Sequence, residues 1–96
     1  MKQAALEQIK KQALPILKEA HVKRAAFFGS YVTGSNVDES DIDILVDLPR
    51  GKTLFDLVDL KTNLEEKLKK KVDIVTYEGI HPFLKDSILN SQYPIL

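Results

Sequence analysis

Residues 29–48 read GSYVTGSNVDESDIDILVDL, and three local rules apply along them in turn. Gly29-Ser30 closes an apolar run and predicts a turn, with Ser30 to Gly34 a short helix or turn. Asn36 to Ser40 is polar and predicts a loop. From Asp41 to Asp47 the residues alternate as in a strand. Asp41, Asp43, Leu45 and Asp47 share one face, and Ile42, Ile44 and Val46 take the other. Two carboxylates on one face then stand about 6.6–6.8 Å apart. At an effective dielectric near 20 they repel by roughly 2.5 kcal/mol. That is a large fraction of the about 5–15 kcal/mol that holds a domain together.

Outward from this stretch, Lys23 to Phe28 is a short apolar run ending at Gly29 and predicts a buried strand. Residues 3–20 carry Leu6, Ile9, Ala13, Ile16, Leu17 and Ala20 at helical spacing. Pro15 predicts a kink there, or the first turn of a second short helix. His21 falls in the turn before the strand. On the other side, LPRGK (48–52) predicts a turn, and Thr53 an N-cap for a helix to about Lys70. Its apolar face is read as Leu54, Leu57, Val58, Leu64 and Leu68. KVDIVTY (71–77) predicts a third strand, with Asp73 on the face opposite Val72 and Ile74. His81 to Ser91 predicts a last helix with Pro82 in its first turn. Phe55 and Phe83 are read as core residues, in preference to an exposed partner surface. The expected fold is α+β, a small mixed sheet flanked by helices, with 1–96 a single domain.

Lys+Arg and Asp+Glu each number 14, so the chain lacks the basic excess that grips a polynucleotide through its phosphates. No direct polynucleotide binding is expected. The absence of cysteine excludes disulfides, thiolate metal sites and a cysteine nucleophile. No apolar stretch approaches the ~20 residues of a membrane span, and the N-terminus has no signal-peptide core. A cytoplasmic protein without membrane association is the expectation. Lys67, Lys69, Lys70 and Lys71 are read as a solvated helix end, in preference to a contact for an acidic partner or a phosphate.

An isolated Asp-x-Asp pair is more often a solvated strand end than a site, and an isolated Gly-Ser is an ordinary turn. Chemistry offers another reading. Hard cations such as Mg²⁺ take carboxylate oxygens and keep positions for phosphates. Asp41 and Asp43, helped by Asp73 from a neighbouring strand, could hold one or two such ions. Asp73, being on another strand, is expected to be the weaker electrostatic neighbour of Asp43. A Gly-Ser turn exposes backbone N–H groups and a hydroxyl to an anion such as a nucleoside triphosphate.

Together, Gly29-Ser30, ten intervening residues, Asp41-x-Asp43 and a later Asp73 within an apolar strand resemble the nucleotidyltransferase superfamily that includes DNA polymerase beta. The small size and the text VKRAAFFGSYVTGSNVDESDIDILVDL (22–48) resemble its minimal members, the MntA-type antitoxins of HEPN/MNT pairs. The resemblance implies that Gly29 and Ser30 contact the triphosphate, and that Asp41, Asp43 and Asp73 ligate Mg²⁺. It also implies that Asp73 helps deprotonate an acceptor hydroxyl. The implied activity is Mg²⁺-dependent transfer of a nucleoside monophosphate, AMP from ATP, to a hydroxyl of a partner protein. The implied partner is a HEPN ribonuclease toxin. Thr33 stands where minimal members often carry an arginine. That departure keeps a second function open, a non-catalytic antitoxin that neutralises its HEPN partner by contact.

Overall fold

The computed structural model describes residues 2–33 and 41–96. The predicted loop at Asn36 to Ser40, and Gly34, lie outside them. Among the described residues, four helices and four strands follow in the order α1 (Lys2–Glu19), β1 (Arg24–Phe28), α2 (Ser30–Thr33), β2 (Ile42–Asp47), α3 (Leu54–Leu68), β3 (Val72–Thr76), α4 (Pro82–Ser91) and β4 (Tyr93–Pro94). A 3₁₀ turn at Tyr77–Gly79 joins β3 to α4. The strands form one mixed sheet in the order β3-β2-β1-β4. β2 runs antiparallel to β1 and parallel to β3, and β4 runs antiparallel to β1. The α+β fold is as expected.

The period-2 and period-3.6 patterns explain the packing. Ala25 and Phe27 of β1, Ile42, Ile44 and Val46 of β2, and Val72 of β3 are buried against Leu6, Ala13 and Leu17 of α1 and Leu60, Leu64 and Leu68 of α3. Burying a side chain such as Phe27 is worth about 1.5–3 kcal/mol. Ala26 and Leu45, register partners on β1 and β2, are also fully buried but lie outside that cluster. So β2 is covered on both faces at Leu45, and its alternation reports polarity better than exposure.

Three local readings are corrected. Pro15 starts no second helix: α1 runs continuously through it. It sits on the exposed side of the helix, where water can satisfy the carbonyl that its missing N–H leaves free. The buried face of α3 is Leu60, Leu64 and Leu68, while Leu54 and Val58 are exposed. Phe55 and Phe83 are 83% and 90% exposed and contribute nothing to the core. Leu57, between Leu54 and Leu60, packs against the core in part.

The helix ends follow their sequence signals. Thr53 precedes α3, and its N–H donates to the Asp56 carboxylate at 2.8 Å. Lys69 closes α3 in the left-handed region, φ 58°, its N–H donating to the Glu65 carbonyl at 2.9 Å. His81 caps α4, its Nδ1 accepting from the Phe83 N–H at 3.2 Å. β4 is an unexpected strand. Ile95 N–H and Leu96 N–H both donate to the Ala25 carbonyl, at 2.9 and 3.1 Å. Among the described residues no helix is long and apolar enough to cross a membrane.

Candidate functional site

β1 ends at Phe28, and Gly29 turns the chain out of the sheet at φ +78°. An L side chain rarely adopts that conformation. A second constraint acts at the same residue. A Cβ placed on Gly29 would meet the Asp43 Oδ2 at 2.2 Å and its Cγ at 3.1 Å. The Asp43 carboxylate therefore occupies the space that a side chain at position 29 would need. The contact follows from register, since Phe28 and Asp43 are partners across β1 and β2.

On its other side Asp43 is in register with Asp73 across the parallel pair β2–β3. Partners in register point to the same face of a sheet. Asp41 immediately precedes β2, two residues before Asp43. The three predicted acidic residues thus stand at one end of β2 and β3, and Gly29 adjoins them. Asp41 and Asp43 are half-buried, and Asp73 is exposed. Ser30 opens α2 and Thr33 ends it.

Burial, then the Asp73 charge, then the Asp41 charge push the Asp43 carboxyl up to about 6. The order corrects the expectation that Asp41 is the stronger neighbour. Adjacent strands lie about 4.8 Å apart, closer than the about 6.6 Å between alternate residues of one strand. The non-local neighbour therefore acts more strongly than the local one.

The donor chemistry fits a hard divalent cation. The oxygens are carboxylate oxygens, and the charges of Asp73 and Asp41 add to burial in raising the proton affinity of Asp43. The described residues nevertheless contain no group of three or more His, Cys, Asp or Glu already drawn together as a metal-ligand set. The Asp43–Asp73 pairing is the geometry present. A cavity of about 280 Å³, lined by residues such as Leu48, Pro49, Lys52 and Tyr77, lies at the opposite end of β2 and β3 and contains none of the three aspartates.

Sequence reading missed two features of this region. One is the Gly29–Asp43 contact, whose signal was the pairing of the two strands that flank the turn. The other is Lys70, grouped with three solvated lysines. Its ammonium lies 5.9 Å from the centre of the Tyr31 ring.

Known proteins share the sequence and fold of this chain as a whole. A model of the family described as "Nucleotidyltransferase domain" matches residues 10–92. The chain is 52% identical over 91 residues to MJ0435 of Methanocaldococcus jannaschii, named as a candidate protein adenylyltransferase, with 95% of this chain and 98% of that protein covered. It is 34% identical over 68 residues to the protein adenylyltransferase MntA of Thermococcus cleftensis, covering 71% of this chain and 69% of that protein. Among solved structures, a candidate minimal nucleotidyltransferase superposes with a TM-score of 0.82 at 33% identity, covering 98% of this chain and 96% of that one. A chain from the complex of a tri-AMPylated Shewanella oneidensis HEPN toxin with its MNT antitoxin superposes with a TM-score of 0.73 at 19% identity. It covers 100% of this chain and 72% of that one, and it shows the shared fold. With a family match over most of its length and a relative at 52% identity, this chain belongs to the nucleotidyltransferase domain family.

Proposed function

We propose that this chain transfers AMP from ATP to a hydroxyl of a partner protein, with a HEPN ribonuclease toxin as that partner, and so acts as an antitoxin in the cytoplasm. Residues 1–96 would act as one minimal transferase domain. The observation that carries this reading is Asp43 in register with Asp73 while its carboxylate fills the side-chain space of Gly29. A glycine turn beside a pair of carboxylates at one sheet end suits a metal-bound triphosphate. The names of the relatives support the protein acceptor.

Asp41, Asp43 and Asp73 would hold Mg²⁺, which when bound offsets the charge of the phosphates and of the group in transfer. The absence of a side chain at Gly29 leaves room for the Asp43 carboxylate beside the turn, and the backbone N–H groups of the turn and the Ser30 hydroxyl would meet the phosphates. In the reaction the acceptor oxygen forms a bond to the α-phosphorus. The bond from that phosphorus to the bridging oxygen breaks, and pyrophosphate leaves. The acceptor proton passes to a carboxylate. Asp73 is exposed on an edge strand, where a macromolecule can reach it, and takes that role. Balanced charge favours a protein over a polynucleotide as the acceptor.

Incubating the chain with ATP, Mg²⁺ and its HEPN partner, then measuring the intact mass of both proteins, tests this. AMP added to the partner, dependent on Mg²⁺ and abolished by Asp43→Asn, is the expected result. A second reading is favoured by Thr33 and by the open arrangement of the carboxylates. There the chain silences its partner by contact alone, and the partner is inhibited with its mass unchanged.

A further inference from the structure

Lys67, Lys69, Lys70 and Lys71 gather where α3 ends and β3 begins. Lysines at a helix end complement its dipole and stay in water. Lys67, Lys69 and Lys71 do so, being exposed, but Lys70 is half-buried. Its ammonium lies 5.9 Å from the Tyr31 ring centre, within the range of a cation–π contact. Tyr31 is buried and directly follows Ser30 in α2.

The backbone around Lys70 is fixed from both sides. Lys69 before it takes the left-handed conformation that closes α3. Lys71 after it accepts from the Ile42 N–H at 2.9 Å, and Ile42 lies between Asp41 and Asp43. The Val72 N–H donates to the Glu65 carboxylate at 3.0 Å. These contacts hold Lys70 at the end of the sheet where β1 turns at Gly29 and where Asp43 and Asp73 pair. Three carboxylates and a triphosphate at this end would all be negative, and a cation there offsets part of that charge. The flexible lysine stem can lie on the ring while its ammonium reaches an anion beside it.

We propose that Lys70 is a further substrate-binding residue, its ammonium meeting the phosphate chain of the nucleoside triphosphate beside the Gly29–Ser30 turn, with the Tyr31 ring holding it toward that turn. The inference rests on the nucleotide site proposed above and adds a residue to it.

Calorimetric titration with Mg²⁺-ATP and with AMP tests it on the wild type, Lys70→Gln, Lys70→Arg and Lys67→Gln, each first shown to be folded by its thermal melt. Lys70→Gln is expected to weaken ATP binding by roughly tenfold to a hundredfold, as for a lost hydrogen bond to a charged group. AMP lacks the outer phosphates, so its binding should change far less. Lys70→Arg keeps the charge and should recover most of the loss, and Lys67→Gln should match the wild type. Equal weakening of ATP and AMP would make Lys70 a structural residue and overturn the inference. So would unchanged ATP binding by Lys70→Gln alongside a wild type that binds ATP. A wild type that binds no ATP would overturn the nucleotide-site reading itself.

Discussion

Asp43 and Asp73 are register partners on adjacent parallel strands, and the charge of Asp73 raises the proton affinity of Asp43 more than that of Asp41 does. In the metal-free protein, Asp73→Asn is therefore expected to stabilise more than Asp41→Asn. The gain should be up to about 1 kcal/mol, because Asp73 is exposed and water screens the pair. With saturating Mg²⁺-ATP the wild type should become the most stable of the three, because only it gains the full RT ln(1 + [L]/Kd). Thermal melts of the three proteins with and without Mg²⁺-ATP measure this. Equal shifts in all three would mean that the carboxylates do not share a cation.

The Asp43 carboxyl is raised from 3.8 to about 6 in the fold, and the direction of the pH effect follows. Between those values the native chain keeps a proton that the unfolded chain has lost. Stability contributed by that proton is therefore full at the acid end and lost as pH rises through about 6. After discounting for solvent exposure the change is about 1–2 kcal/mol. Metal-free urea melts from acid to neutral pH should show this fall, and Asp43→Asn should lack it. A wild-type profile parallel to that of the variant would remove Asp43 as the cause.

Gly29→Ala meets both a strained φ and the Asp43 carboxylate. We expect a cost of about 1–3 kcal/mol and loss of nucleotide binding. Part of the cost is steric and should vanish when the carboxylate is absent. In an Asp43→Ala background the same substitution should cost less, by at least about 0.5 kcal/mol in a double-mutant cycle. Strict additivity would place the whole effect in the backbone.

Phe55→Ser and Phe83→Ser should each change stability by less than about 0.5 kcal/mol, since both side chains lie in solvent. Phe27→Ala, at a fully buried position, should cost about 3–5 kcal/mol. Chemical denaturation of the three variants checks the contrast. A large loss at Phe55 or Phe83 would mean that the side chain is covered in solution.

Local rules made the elements legible. Period-2 alternation located β2, an apolar run ending in glycine located β1, and Thr53 and Pro82 marked the starts of α3 and α4. Pairing was not legible, because it joins distant residues. The alternation of β2 put Asp41 and Asp43 on one face, yet the stronger neighbour of Asp43 came from β3, thirty residues on. β4 is two residues long and contains Pro94, so it has no propensity to announce it. It exists because the edge of β1 accepts it. Periodicity also counted Leu54 and Val58 as buried, since spacing alone does not say which part of a helix face is covered.

β3 ends the sheet, with the order β3-β2-β1-β4 leaving its outer side without a strand partner among the described residues. Its five residues, Val72–Thr76, carry one charge, and that charge is Asp73. An apolar edge strand is a template on which further chains can stack. The carboxylate that crowds Asp43 is thus also the strand's guard against self-association. Neutralising it removes both burdens and protections at once, so a variant with a more stable monomer can still be the first to precipitate when concentrated.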